Sequence, residues 1–100
     1  MSRLTNEQTT IELEKIPDWT HAAQTITRTF KFENFPLSIA FVQRLAECAE
    51  KINHHPDIDI RYDRVKLTLT THDAGGLTAK DFALAGQCDA VFSGFIRPDA

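Results

Sequence analysis

The chain has 100 residues, is 42% hydrophobic and 25% charged, and carries a formal net charge of −3. That is a globular composition, long enough to bury a core without staples and unlike that of a disordered chain. The acidic balance argues against a dedicated nucleic-acid binder. The longest apolar segment, Leu37 to Ile52, is interrupted by Gln43, Arg44, Glu47 and Glu50, and no run reaches the roughly 18 apolar residues of a membrane span. The polar N-terminus has no apolar signal core. The expectation is one soluble, cytoplasmic domain over residues 1–100 that engages neither membrane nor, directly, nucleic acid. Cys48 and Cys88 each sit in an apolar helical pattern and read as reduced, buried thiols.

In chain order, Thr5-Asn6-Glu7-Gln8 has the form of a capping box and predicts a short helix to about Lys15, ended by Pro17. Its apolar face is weak, resting on Ile11, Leu13 and Ile16. Trp19 opens an extended region, and Trp19 to His21 can form a short edge strand. Ala22-Ala23-Gln24 is a loop with a poor turn signal. Ile26 to Phe32 alternates apolar and polar residues except at Arg28, which predicts a strand with Ile26, Phe30 and Phe32 inward.

Pro36 suits the first turn of a second helix. Its apolar stripe runs through Leu37, Phe41, Leu45, Cys48 and Ile52. Pro56 disfavours helical geometry at His55, so this helix should end near Asn53 or His54. Two alternating segments follow, Ile58 to Tyr62 and Val65 to Thr71, with Asp63-Arg64 as the only spacer, which predicts a tight hairpin. Val65, Leu67, Leu69 and Thr71 then share one face, and His72 projects from the other at the strand's far end. Ala74-Gly75-Gly76 reads as a flexible loop. Thr78-Ala79-Lys80-Asp81 is a second capping signature, opening a last helix through about Phe92 that Gly94 and Pro98 stop. This order predicts an α+β fold of two layers, an antiparallel sheet of about four strands with helices on one face.

The chemistry concentrates in Glu50-Lys51-Ile52-Asn53-His54-His55-Pro56 and in His72. The limbs of the hairpin are nearly equal in length, so His72 should return to the level of Pro56, near His54 and His55. If the helix persists to His54, Glu50 lies one turn away and can hydrogen-bond that ring, fixing its tautomer. Imidazoles at such a cleft can move protons in both directions near neutral pH. Surface histidines with no function are the plainer reading. Three imidazoles and a carboxylate would also suit zinc, yet adjacent histidines are not the usual chelating spacing on a helix and the cysteines lie elsewhere, so no metal is expected. His21 reads as surface.

Glu50 to Pro56, then Tyr62, Thr71-His72 and Gly76-Leu77-Thr78 with Asp81, closely resemble the pterin-4a-carbinolamine dehydratases. The similarity covers nearly the whole chain. The resemblance implies dehydration of a 4a-hydroxytetrahydropterin to quinonoid dihydropterin, with the pterin as substrate and neither metal nor redox cofactor. It makes His54 and His72 the acid–base pair, with Glu50 orienting or charging His54. His55 becomes the residue that holds the pterin, within a substrate-binding set of His55, Pro56, Thr71 and Asp81; Asp81 also reads as a structural cap. It further implies self-association as dimers or tetramers. Ile58 departs from the family, where an aromatic residue often stands two positions after the proline, and puts one wall of the pterin pocket in question. The competing reading is an interaction protein on the same fold, because animal members also serve as dimerisation cofactors and some bacterial relatives act as assembly chaperones for Rubisco. A relative that only binds partners has no need of all three histidines.

Overall fold

The computed structural model describes residues 2–95. Three helices and a four-stranded antiparallel sheet form an α+β fold, in the order α1 (Asn6–Glu14), β1 (Thr20–Ala22), β2 (Thr25–Lys31), α2 (Phe35–Ile52), β3 (Asp57–Arg61), β4 (Arg64–Leu69), a 3-10 turn (His72–Ala74) and α3 (Ala79–Ser93). The strands are arranged β1-β2-β4-β3. β2 and β4 are therefore central, and the register Ile26↔Leu69, Arg28↔Leu67, Phe30↔Val65 aligns their inward side chains. Phe41, Leu45 and Ala49 of α2 and Leu84, Ala85 and Cys88 of α3 join Ile26, Phe30, Val65, Leu67 and Leu69 in one core. Pro98, expected to help stop α3, lies outside the described residues.

Local chemistry explains most boundaries. The Thr5–Gln8 capping box starts α1, with the Gln8 amide donating to Thr5 Oγ1 at 3.1 Å and the Thr5 amide to Gln8 Oε1 at 2.9 Å. Asn34 caps α2, accepting from the Leu37 amide at 3.0 Å, just ahead of Pro36 in the first turn. Arg28, the exception in the β2 alternation, does face the helices. Its guanidinium bonds Asp89 at 2.7 Å and lies 4.4 Å from the centre of the Phe30 ring. Asp89 also accepts from Trp19 Nε1 at 2.8 Å. One carboxylate on α3 thus satisfies a half-buried cation and a buried indole, which makes a charged residue tolerable on the apolar face.

Three boundaries differ from expectation. The β3–β4 turn falls at Tyr62-Asp63 rather than Asp63-Arg64, since Arg61 pairs with Arg64. Tyr62 takes φ +53° there. β1 runs Thr20–Ala22 rather than Trp19 to His21, so the loop expected at Ala22-Ala23-Gln24 narrows to Ala23-Gln24, and Ala23 also takes φ +53°. Both are first central residues of two-residue hairpin turns, positions that glycine fills most easily. The third difference is at the end of β4. The strand stops at Leu69, and His72 opens the 3-10 turn instead of extending the strand. Thr71 and Gly76 exchange backbone hydrogen bonds at 3.1 and 3.3 Å, and Gly75 takes φ +74°. The segment expected as a flexible loop is a closed, hydrogen-bonded reversal.

Candidate active site

The end of α2 aims two of the histidines. Asn53 adopts the left-handed conformation, φ +53° and ψ +48°, which asparagine tolerates better than most residues. The Asn53 amide donates to Glu50 O at 3.2 Å and the His54 amide to Ala49 O at 3.0 Å. This is the full Schellman pattern. It terminates the helix at Ile52, two residues before His54, and turns the chain into the extended approach to Pro56.

That turn overrides the expected Glu50–His54 bond. With Asn53 left-handed, Glu50 and His54 are no longer one helical turn apart. Glu50 Oε2 instead accepts from His55 Nε2 at 2.5 Å, in a solvent-exposed pair. His54 points the other way, and its Nε2 donates to Asp81 Oδ1 at 2.5 Å. That contact is secluded: the His54 side chain is 12% exposed and that of Asp81 is 0% exposed.

Asp81 is the residue whose part was least visible in the sequence. It caps α3 as expected, with Oδ2 accepting from the Thr78 amide at 2.9 Å. The same oxygen accepts from Thr71 Oγ1 at 2.8 Å. Because the Thr71 hydroxyl proton is used there, the 2.9 Å contact between the two threonine hydroxyls must have Thr78 as donor. One carboxylate therefore ties together the end of α2, the end of the sheet and the start of α3. The expected contact between Asp81 and a substrate does not fit this burial: the carboxylate lies behind the His54 ring and exposes no surface. A carboxylate only accepts, so the proton on that edge of the ring is on Nε2. Among the described residues Nδ1 has no protein hydrogen-bond partner.

His54, His55 and His72 line one cleft of about 270 Å³, together with Asn53, Thr70, Thr71 and Asp73. This is close to the lower end of small-molecule sites, about 300 Å³. His72 reaches it from the 3-10 turn, exposed and with no hydrogen-bond partner for its ring among the described residues. Pro56 is half-buried just ahead of β3 and does not line the cleft. Ile58 is on β3, 40% exposed, and is likewise no part of the lining. The cysteines are free and neither lines the cleft; Cys88 is buried and Cys48 half-buried. His21 is exposed and holds Ala23 O at 3.0 Å.

The geometry can be set beside known proteins. Residues 2–91 match the family profile described as Pterin 4 alpha carbinolamine dehydratase. A Chloroflexus aurantiacus protein provisionally named pterin-4-alpha-carbinolamine dehydratase is 55% identical over 91 residues, covering 91% of this chain and 98% of that one. The crystal structure of a transcriptional coactivator/pterin dehydratase from Brucella melitensis superposes with a TM-score of 0.86 at 35% identity, covering 90% of this chain and 98% of that one. A pterin dehydratase-like protein identified as a RuBisCO assembly factor in the alpha-carboxysome shares the fold, with a TM-score of 0.61 at 24% identity over 74% of this chain and 86% of that one.

Proposed function

Because the chain belongs to the pterin-4a-carbinolamine dehydratase family, we propose that it dehydrates a 4a-hydroxytetrahydropterin to the quinonoid dihydropterin, a hydro-lyase step in tetrahydropterin recycling. The observation that carries this reading is the convergence of three imidazoles on one cleft, with the His54 ring fixed from behind by a buried carboxylate. In the reaction the bond from C4a to the hydroxyl oxygen breaks. The hydroxyl leaves as water after gaining a proton, and a ring N–H gives one up. Both transfers suit groups that titrate near neutral pH.

His54 and His72 are the acid–base pair in this reading. With Nε2–H donated to Asp81, the neutral His54 ring offers an unprotonated Nδ1. That suits it to accept the proton of the ring N–H, after which Asp81 stabilises the imidazolium. His72, exposed and unpartnered among the described residues, delivers a proton to the departing hydroxyl. His55, steadied by Glu50, holds the pterin, and Thr71 forms part of the cleft wall. Glu50 thus orients His55, not His54. No metal or redox cofactor enters this scheme, because it consists of two proton transfers and the loss of water, with no net change of oxidation state.

The chain also self-associates in this reading, as a dimer or tetramer. The support is on the edge strand β3, where Ile58 and Ile60 are 40% and 37% exposed beside a 68% exposed Tyr62. No helix among the described residues is long and apolar enough to cross a membrane, and the proposed setting is the cytoplasm.

The test is the dehydration rate of chemically generated 4a-hydroxytetrahydropterin with wild type, His54→Ala and His72→Ala. The expected result is acceleration by wild type that both substitutions abolish while the variants remain folded. A folded wild type that leaves the uncatalysed rate unchanged would overturn the assignment in favour of the interaction-protein reading.

A further inference from the structure

A second cavity, about 420 Å³, is larger than the histidine cleft and shares no lining residue with it. It falls within the range of small-molecule sites, about 300–1,000 Å³. Its wall comes from the segment before α1 and the first turn of that helix, from β1 and the β1–β2 turn, and from Gly76-Leu77. None of the residues lining it is acidic, and two, Arg3 and His21, can carry positive charge.

The Arg3 side chain lies across the backbone of Gly76. A β-carbon on Gly76 would stand 2.6 Å from Arg3 Cδ, so only glycine lets the arginine stem lie this close. The guanidinium makes one long hydrogen bond, Nη1 to Gly75 O at 3.4 Å. Among the described residues no carboxylate lies within ion-pair distance of it. His21 donates Nε2–H to Ala23 O, and the Gln24 and Asn6 amides add further polar groups, while Leu4 and Leu77 supply apolar surface. A planar cationic fork with unused donors beside the side-chain amides of Gln24 and Asn6 has the donor chemistry that an oxyanion needs.

We infer that this cavity binds a small oxyanion, a carboxylate or phosphate on a short organic body. An occupant would press on the far side of the segment that carries Thr71 and His72. Gly76 pairs with Thr71 through the backbone, and Thr70 Oγ1 donates to Gln24 O at 2.6 Å. The inference is independent of what the histidine cleft turns over.

The test is an amide-resonance titration of the ¹⁵N-labelled full chain with inorganic phosphate and, separately, with acetate, each against sodium chloride at matched ionic strength. Saturable shifts at Gly76, Gln24 and Ala23 are expected with phosphate or acetate and not with chloride. The tighter of the two identifies the head group. Arg3→Gln changes an exposed side chain and leaves the fold intact; it should weaken binding by about tenfold or more, as loss of charge-assisted hydrogen bonds requires. Gly76→Ala, which displaces Arg3, should weaken it similarly. Shifts that do not saturate, that chloride reproduces, or that persist unchanged in Arg3→Gln would overturn the inference.

Discussion

Replacing Asp81 by asparagine separates its part in folding from its part at the cleft. The carboxylate accepts three hydrogen bonds, from His54, Thr71 and Thr78, with no exposed surface to admit water. Hydrogen bonds to a charged group contribute about 1.5–3 kcal/mol and neutral ones about 0.5–1.5 kcal/mol, so turning three of the first kind into the second loses about 3 kcal/mol. Removing the buried charge also removes its desolvation cost, which brings the net loss to about 2 kcal/mol. For a domain of this size that lowers the melting temperature by roughly 8–16 °C. Asparagine keeps one acceptor oxygen, but its NH₂ must face either His54 or Thr71. Facing His54, it requires Nε2 to accept and moves the ring proton to Nδ1. Dehydration should then fall on the order of 10²-fold or more, the usual contribution of a positioned acid or base. Three readouts decide the matter: thermal unfolding, the dehydration rate well below both melting temperatures, and ¹⁵N detection of the His54 tautomer. A variant that melts earlier yet keeps the wild-type rate and tautomer would refute the reasoning and leave Asp81 as a helix cap alone.

Glu50→Ala should leave stability within about 1 kcal/mol of wild type, because its pair with His55 is solvent-exposed; it should weaken pterin binding more than turnover, read as a rise in KM larger than the fall in kcat. Burial raises the Cys88 thiol from 9.0 to about 12, reinforced by the nearby Asp89 carboxylate and Cys48. In the folded state it should therefore resist iodoacetamide at pH 8. Because the folded value is the higher one, the stability linked to this thiol is complete below pH 9 and declines as pH rises from there toward 12. Mass spectrometry of alkylated protein and urea unfolding across that range check both statements, and rapid alkylation of Cys88 in native protein would contradict the first.

The regular elements were legible because burial imposes a period. The α2 stripe and the Val65, Leu67, Leu69 alternation are both found in the core, and they predicted the helix and the strand. Pro56 correctly bounded α2, and the equal limbs of the hairpin brought His72 to the cleft that His54 and His55 line. What stayed hidden depends on single dihedral angles and on partners distant in the chain. Ala23 and Tyr62 take positive φ without the glycine that announces such turns, so sequence pattern alone sets the β3–β4 turn one residue late and gives no turn signal between β1 and β2. Asn53 was a readable sign: asparagine directly after the last periodic apolar residue is a recognised stop. Giving it the left-handed conformation in advance would have removed Glu50 from His54. The link from Asp81 to His54 crosses 27 residues, and no local pattern encodes it. The T-x-x-D cap signature concealed it by supplying a sufficient reason for the aspartate.

The shared carboxylate has a thermodynamic consequence for any ligand. His54 is immobilised by bonds that form when α2, the sheet and α3 come together, so the rotamer entropy of that ring is lost during folding and not on binding. A ligand arriving at the cleft meets a nitrogen already oriented, and the interaction it makes there appears in full in its affinity or its rate. His72 has no such restraint among the described residues, so ordering it would fall to the ligand. The cleft is thus rigid on one wall and adaptable on the other. Chemical variation among ligands should be absorbed on the side of the 3-10 turn, with the α2 side setting a fixed reference for them all.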